Sequence, residues 1–193
     1  MTTALIIVDM QRLFLDMTDT ALPNILKLAS HFKSRNLPIF LTQHGHAKRD
    51  LKDPNYKNQL VEKMGRDECL VMGTKNWEFL PEIKAIIPAK PESGDGGDVR
   101  VIPKNTYDSF INTGLEGILR SKSVERVVVC GVMTNFCCDT TARSAFNRGF
   151  QTWMVKDACG SASKTQHEIG LKAFELLCGG LVTTDEVLNR LGG

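Results

Sequence analysis

Short runs rich in Val, Ile and Leu alternate along this chain with longer segments of helical period, and nothing else in the sequence restricts the fold as much. A run of four or five apolar residues is too short for a buried helix, and β-branched side chains favour strands. Such runs separated by amphipathic helices predict βαβ units and a mostly parallel sheet covered on both faces. The first run, Ala4 to Val8, stops at Asp9. A helix is expected from Leu22 to about Arg35, with Ile25, Leu28, Ala29 and Phe32 inward and Asn36 closing it. Strands are expected at Pro38 to Thr42, Val99 to Ile102, Arg126 to Cys130, Gln151 to Val155 and, at an edge, Leu181 to Thr183. Between them, helices are expected at Leu115 to Ser121, Thr134 to Asn147 and Lys164 to Cys178. Thr134 is read as an N-cap, Gly149 lies just past its helix, and Ile169, Ala173, Leu176 and Leu177 are read as an inward stripe. With 193 residues, this is an α/β single-domain three-layer sandwich over 1–193, its six-stranded mostly parallel sheet flanked by helices.

Residues 45–98 break the pattern. They hold a polar stretch, then Trp77 to Leu80 and a short helix near Pro81 to Ile87. The segment from Glu92 to Asp98 has the Gly, Asp and Ser content of a turn. Its glycines are not followed by a Gly-Lys-Ser/Thr sequence, so a phosphate cradle is not expected.

The balance of 24 Lys and Arg against 22 Asp and Glu, a net charge of +2, gives no basis for a nucleic-acid or anionic-membrane partner. The apolar N-terminal run is interrupted at Asp9, is too short to span a bilayer and lacks the basic start of a signal peptide, so a cytoplasmic protein with a small-molecule substrate is expected. The six cysteines show no C-x-x-C spacing. Cys69, Cys130, Cys138, Cys159 and Cys178 read as small buried hydrophobes.

In an open parallel sheet, ligands bind beyond the carboxyl ends of the strands. Asp9, Lys104 and the Gly131–Cys137 segment each follow an expected strand, so the fold should bring them to one edge. Taken singly, Asp9 could be a turn cap, Lys104 a solvated charge and Cys137 an inert buried thiol. Together they offer more. A thiol in the first turn of a helix has its thiolate stabilised by free N–H groups, and a neighbouring Lys104 would lower its pKa further. Asp9 could take the thiol proton and return it to a leaving group. The backbone N–H groups of Met133 and Cys137 could receive an oxyanion. Cys137 to Ser144 also fits the C-x5-R-[ST] pattern of cysteine phosphatases. The stretch has no glycine and is helix-compatible, so Arg143 should point away from the thiol and the match is accidental.

At these residues the chain resembles the isochorismatase-like cysteine hydrolases, and within them the nicotinamidase-like group. The resemblance spans nearly the whole chain. It is carried by Leu5-Ile6-Ile7-Val8-Asp9-Met10-Gln11 with Phe14, by Lys104-Asn105-Thr106-Tyr107-Asp108-Ser109-Phe110, and by Gly131 to Cys137 with Thr141-Ala142-Arg143. It implies a catalytic triad of Asp9, Lys104 and Cys137, a cis peptide between Val132 and Met133, and a homo-oligomer (dimer or tetramer). Phe14, Tyr107, Phe136 and His44 are candidate pocket walls, and residues 45–98 should carry specificity. Metal-binding nicotinamidases show an Asp-x-His pair after the second strand. Here that stretch is Thr42-Gln43-His44-Gly45-His46, so no metal is expected and no other cofactor is implied. True isochorismatases lack the nucleophilic cysteine, so Cys137 favours cleavage of an amide or ureido C–N bond through an acyl-enzyme. Isochorismate hydrolysis without a thiol, a thiol-redox protein and a non-catalytic binding role are the alternatives.

Overall fold

The computed structural model describes residues 1–88 and 98–192. Its six strands are β1 (Thr2–Val8), β2 (Ile39–His44), β3 (Val99–Lys104), β4 (Val124–Val132), β5 (Gln151–Gly160) and β6 (Leu181–Val182). They form one sheet in the order β3-β2-β1-β4-β5-β6, and every pair is parallel. The helices are α1 (Ala21–Ser34), α2 (Lys48–Lys52), α3 (Gln59–Met64), α4 (Pro81–Lys84), α5 (Leu115–Ser121), α6 (Asp139–Asn147), α7 (Lys164–Cys178) and α8 (Thr184–Gly192). No helix among the described residues is long and apolar enough to cross a membrane.

Both faces of the sheet are buried, which is why its central strands read as unbroken apolar runs. Leu5 and Ile7 face one core with Ile25, Leu28 and Phe32 of α1. Ala4, Ile6 and Val8 face the other, with Leu115 and Leu119 of α5 and Ala142 and Ala145 of α6. The strand order reverses between β1 and β4, which makes their carboxyl ends the switch point where a ligand crevice opens. Gly131, at φ +118°, is required there. A Cβ on it would run into the backbone of Val8, so only glycine lets β4 pass this close to the residue before Asp9.

The expected elements are present, with several corrections. Asn36 closes α1 at φ +53° and Gly149 follows α6 at φ +83°, as left-handed terminators. The sheet is wholly parallel, β5 runs five residues further than the apolar run suggested, and α4 is a single turn. From Glu92 to Gly97 the expected turn lies outside the described residues. The helix expected from Thr134 divides into a π-helical turn, Thr134–Cys138, and α6. Thr134 does not cap it. Its hydroxyl is buried and donates to the Gly160 carbonyl at 2.9 Å, so the 2.8 Å contact with His167 is an Nδ1–H donated to Thr134.

The largest correction concerns α7. Its bounds are as expected, but Ile169, Leu176 and Leu177 are 60, 83 and 64% exposed. Gly170 and Phe174 point inward instead. The reason is a close approach: a Cβ on Gly170 would lie within 3.1 Å of three Asn135 atoms, in the π-helical turn. Contact with that turn rotates α7 and leaves its aliphatic stripe in solvent.

Candidate active site

Three strand ends converge at the switch point. Asp9 follows β1, is fully buried and holds φ +49°. That left-handed conformation is unusual for a side-chain-bearing residue, costs on the order of 1–3 kcal/mol and clusters at functional sites. Thr42 of β2 fixes it from both sides. The Thr42 hydroxyl donates to Asp9 Oδ1 at 2.7 Å and accepts from the Asp9 backbone N–H at 3.2 Å.

Lys104 ends β3 with its side chain wholly inaccessible. Its Nζ lies 2.6 Å from Asp9 Oδ2, donates to the Thr106 carbonyl at 2.9 Å and reaches Cys137 Sγ at 3.6 Å. An ammonium has three protons, and these contacts use all of them. Burial works against the charged form, but Asp9 and Cys137 outweigh it and hold Lys104 above the ordinary lysine range.

Cys137 lies on the π-helical turn after β4, where the Val132–Met133 peptide is cis. The structure therefore brings Asp9, Lys104 and Cys137 together. It reverses the expectation of a resting thiolate. Burial pushes the Cys137 thiol up to about 12; Lys104 opposes this, and the charge and hydrogen bond of Asp9 add to it. Burial beside a carboxylate overrides the helix terminus and the ammonium. At neutral pH the proton rests on sulfur, next to its acceptor.

Above this floor opens a cavity of about 280 Å³. Phe14, His44, Tyr107, Met133, Phe136 and Cys137 all line it. Tyr107 and Phe136 stack with centroids 5.4 Å apart and planes at 23°. Most of the remaining walls come from residues 45–98, the stretch expected to carry specificity. Leu60 and Met64 come from α3, Cys69 and Leu70 from the segment after it, Leu13 from the turn before α1, and His46 from beyond β2. Gln11 has a role that its place at the end of the first apolar run does not reveal. It is fully buried, accepts from the His44 N–H at 2.9 Å and donates to the His44 carbonyl at 2.9 Å, holding the end of β2 in place.

His44 and His46 are both buried at the cavity wall, with ring centroids 5.2 Å apart. Burial, then the Lys104 charge, lowers His44 to about 4, and burial lowers His46. Among the described residues no group of three or more His, Cys, Asp or Glu is arranged to hold a metal ion.

Of the other cysteines, Cys130, Cys138 and Cys159 are core residues, and burial raises the Cys130 and Cys138 thiols well above the usual range. Cys178 is half-buried, not buried as expected, and Cys69 forms cavity wall. Arg143 is paired with Asp139, one helical turn back, at 2.8 Å.

The wholly parallel α/β sandwich thus gathers a buried Asp, Lys and Cys at its switch point. The isochorismatase domain family matches residues 3–186, and the chain belongs to that family; it is a hydrolase of the isochorismatase type. It is 33% identical to nicotinamidase 3 of Arabidopsis thaliana over 98% of this chain and 89% of that one. It is 27% identical to a ureidoacrylate amidohydrolase of Variovorax paradoxus (strain S110), over 90% and 71% of the two chains. The crystal structure of a cysteine hydrolase from Pseudomonas syringae pv. phaseolicola superposes with a TM-score of 0.82 at 26% identity, over 98% and 92% of the two chains.

Proposed function

We propose that this hydrolase cleaves the C–N bond of a small amide or ureido compound by covalent catalysis at Cys137. The observation that carries this reading is the Lys104 ammonium, wholly inaccessible, 2.6 Å from Asp9 and 3.6 Å from Cys137 at the floor of a cavity. Asp9 accepts the thiol proton as Sγ attacks the carbonyl carbon, and the N–H groups of Met133 and Cys137 receive the oxyanion. As the C–N bond breaks, Asp9 returns the proton to the leaving nitrogen, and a thioester remains on Cys137. A water, deprotonated by Asp9, then releases the acid and regenerates the thiol. Lys104 keeps Asp9 oriented and offsets the charge of the forming thiolate. The resting thiol suits this sequence: the nucleophile is made only when the proton can move to its base.

Thiol-independent cleavage of isochorismate shares the fold but leaves Cys137 without a part. Two supports bear on the setting. The aliphatic stripe of α7 favours a homo-oligomer built on that face, and six unpaired cysteines suit the reducing cytoplasm. The test of function is turnover of a panel of small carboxamides and ureido compounds. Hydrolysis by the native enzyme should fall by at least about 10⁴-fold in Cys137→Ala and Cys137→Ser, with folding intact by circular dichroism. Unchanged hydrolysis in both variants would defeat the covalent route.

A further inference from the structure

Resting on the covalent reading above, we propose that Thr141 is a positioning residue: its buried hydroxyl, paired with Ser109, pins the loop that follows β3 to α6 and thereby holds the Lys104 ammonium against Cys137.

The need for such a pin follows from the topology. β3 is an edge strand, and three strand spacings, roughly 14 Å, separate it from β4. Lys104 therefore reaches the site from the edge on a flexible four-carbon stem, which the strand alone does not fix. Beyond Asp9 and Cys137 themselves, the contact that aims its Nζ is the Thr106 carbonyl at 2.9 Å, and that carbonyl belongs to the loop. The same loop carries Tyr107, a wall of the cavity. From Asn105 to Phe110 it is neither helix nor strand, so side chains must set its place.

α6 supplies them. Thr141, Ser144 and Arg148 recur at helical spacing along one stripe, beginning four residues after Cys137. A hydroxyl inside a helix commonly bonds back to the carbonyl four residues earlier. Thr141 and Ser144 turn to the loop instead. Thr141 and Ser109 are both fully buried. Thr141 Oγ1 accepts the Ser109 backbone N–H at 3.2 Å, lies 2.8 Å from Ser109 Oγ and donates to the Tyr107 carbonyl at 3.4 Å. With its one proton given to Tyr107, Thr141 accepts twice from Ser109, which fills its capacity. Arg148 donates to the Ser144 hydroxyl, and Ser144 donates in turn to Asp108 Oδ2 at 2.6 Å. Asp108 Oδ1 takes the Phe110 N–H at 2.8 Å, and the Thr106 hydroxyl donates to the Asp108 carbonyl at 2.9 Å. The segment from Cys137 to Ser144 thus carries the thiol at one end and, a turn later, grips the loop that aims Lys104. The distance between ammonium and thiol is set through that segment and not across the sheet alone.

The test is the rate at which p-nitrophenyl acetate acetylates Cys137, followed by peptide mass spectrometry, in the native chain and in Thr141→Val, Thr141→Ser and Ser109→Ala. This probe reads the nucleophile whether or not amides are substrates. Thr141→Val keeps the shape and loses the hydroxyl, so acetylation should slow by at least about tenfold; a misplacement of about 1 Å can cost about 100-fold. Thr141→Ser should stay within about threefold of the native rate, and Ser109→Ala, which keeps its backbone N–H, should fall between the two. Hydrogen exchange of residues 105–110 should quicken in Thr141→Val and not in Thr141→Ser. A folded Thr141→Val that acetylates at the native rate would overturn the inference, as would slowing that Thr141→Ser fails to restore or exchange of the loop left unchanged. If Thr141→Val does not fold, a native rate in Ser109→Ala has the same force. Slowed acetylation in Thr141→Val beside a native enzyme that hydrolyses no amide would instead defeat the amide reading and leave this inference standing.

Discussion

The floor and the roof of the site are built by opposite means. The floor is polar, charged and rigid: Asp9, Lys104 and Cys137 follow three strands of the sheet, and every proton on Lys104 is engaged. The roof is apolar and irregular. Leu60, Met64, Cys69 and Leu70 come from a segment whose longest helix, α3, has six residues and whose conformation is tied down by Arg66 and by the Tyr56–Asn58–Asn105 hydrogen bonds. Under the proposed mechanism this contrast is a division of labour: bond-breaking belongs to the sheet, and the choice of substrate to the segment above it.

That division is sharpest when the floor is disturbed. Lys104→Met removes the partner of a buried carboxylate and should cost about 3–5 kcal/mol of stability together with nearly all activity. Adding Asp9→Asn removes the stranded charge, so the double variant should unfold at higher denaturant than Lys104→Met alone while remaining inactive. A double variant no more stable than the single would show that the pair does not carry the floor. Urea unfolding of both proteins measures the difference.

The border between the regions should respond to pH. His44 ionises near 4 when folded and near 6.5 when unfolded. The unfolded chain therefore binds the extra proton between these values, and stability must fall as pH drops from about 6.5 to about 4. The loss amounts to roughly 3 kcal/mol at most. The stability lost between pH 7 and pH 4.5, measured by urea unfolding, should be about 2 kcal/mol smaller in His44→Gln than in the native chain.

The smallest effect belongs to the roof. Leu60→Ala should raise KM for an apolar amide by up to about tenfold and leave kcat within about twofold, because the lost contact touches substrate body and not reacting atoms. A fall in kcat with KM unchanged would place Leu60 in the chemistry and blur the two regions.

The same contrast explains what could be read from the sequence. The floor was legible because strand periodicity places Asp9, Lys104 and Cys137 at carboxyl ends, and a parallel sheet gathers such ends. The roof was not, since residues 45–80 have no period from which to infer a facing. Periodicity also misled on α7. It identifies a stripe of Ile169, Leu176 and Leu177 but cannot say which stripe meets the sheet, and Gly170, which decides it, is invisible to any count of apolar side chains. Thr134 has the spelling of an N-cap, yet its partners, Gly160 and His167, lie 26 and 33 residues away. The sign of the Cys137 shift escapes the sequence for a related reason: a helix start and a lysine can be seen in sequence, whereas burial against Asp9 exists only in three dimensions.

Acid-quenched peptide mass spectrometry during turnover of an apolar amide tests the central claim most directly, run beside steady-state assays of Cys137→Ala and Asp9→Asn. The account predicts a mass increment equal to the acyl group on the peptide carrying Cys137, and loss of both the increment and turnover in each variant. Full turnover by Cys137→Ala, or an acyl group carried by Cys138 or Cys69 with Cys137 unmodified, would contradict it.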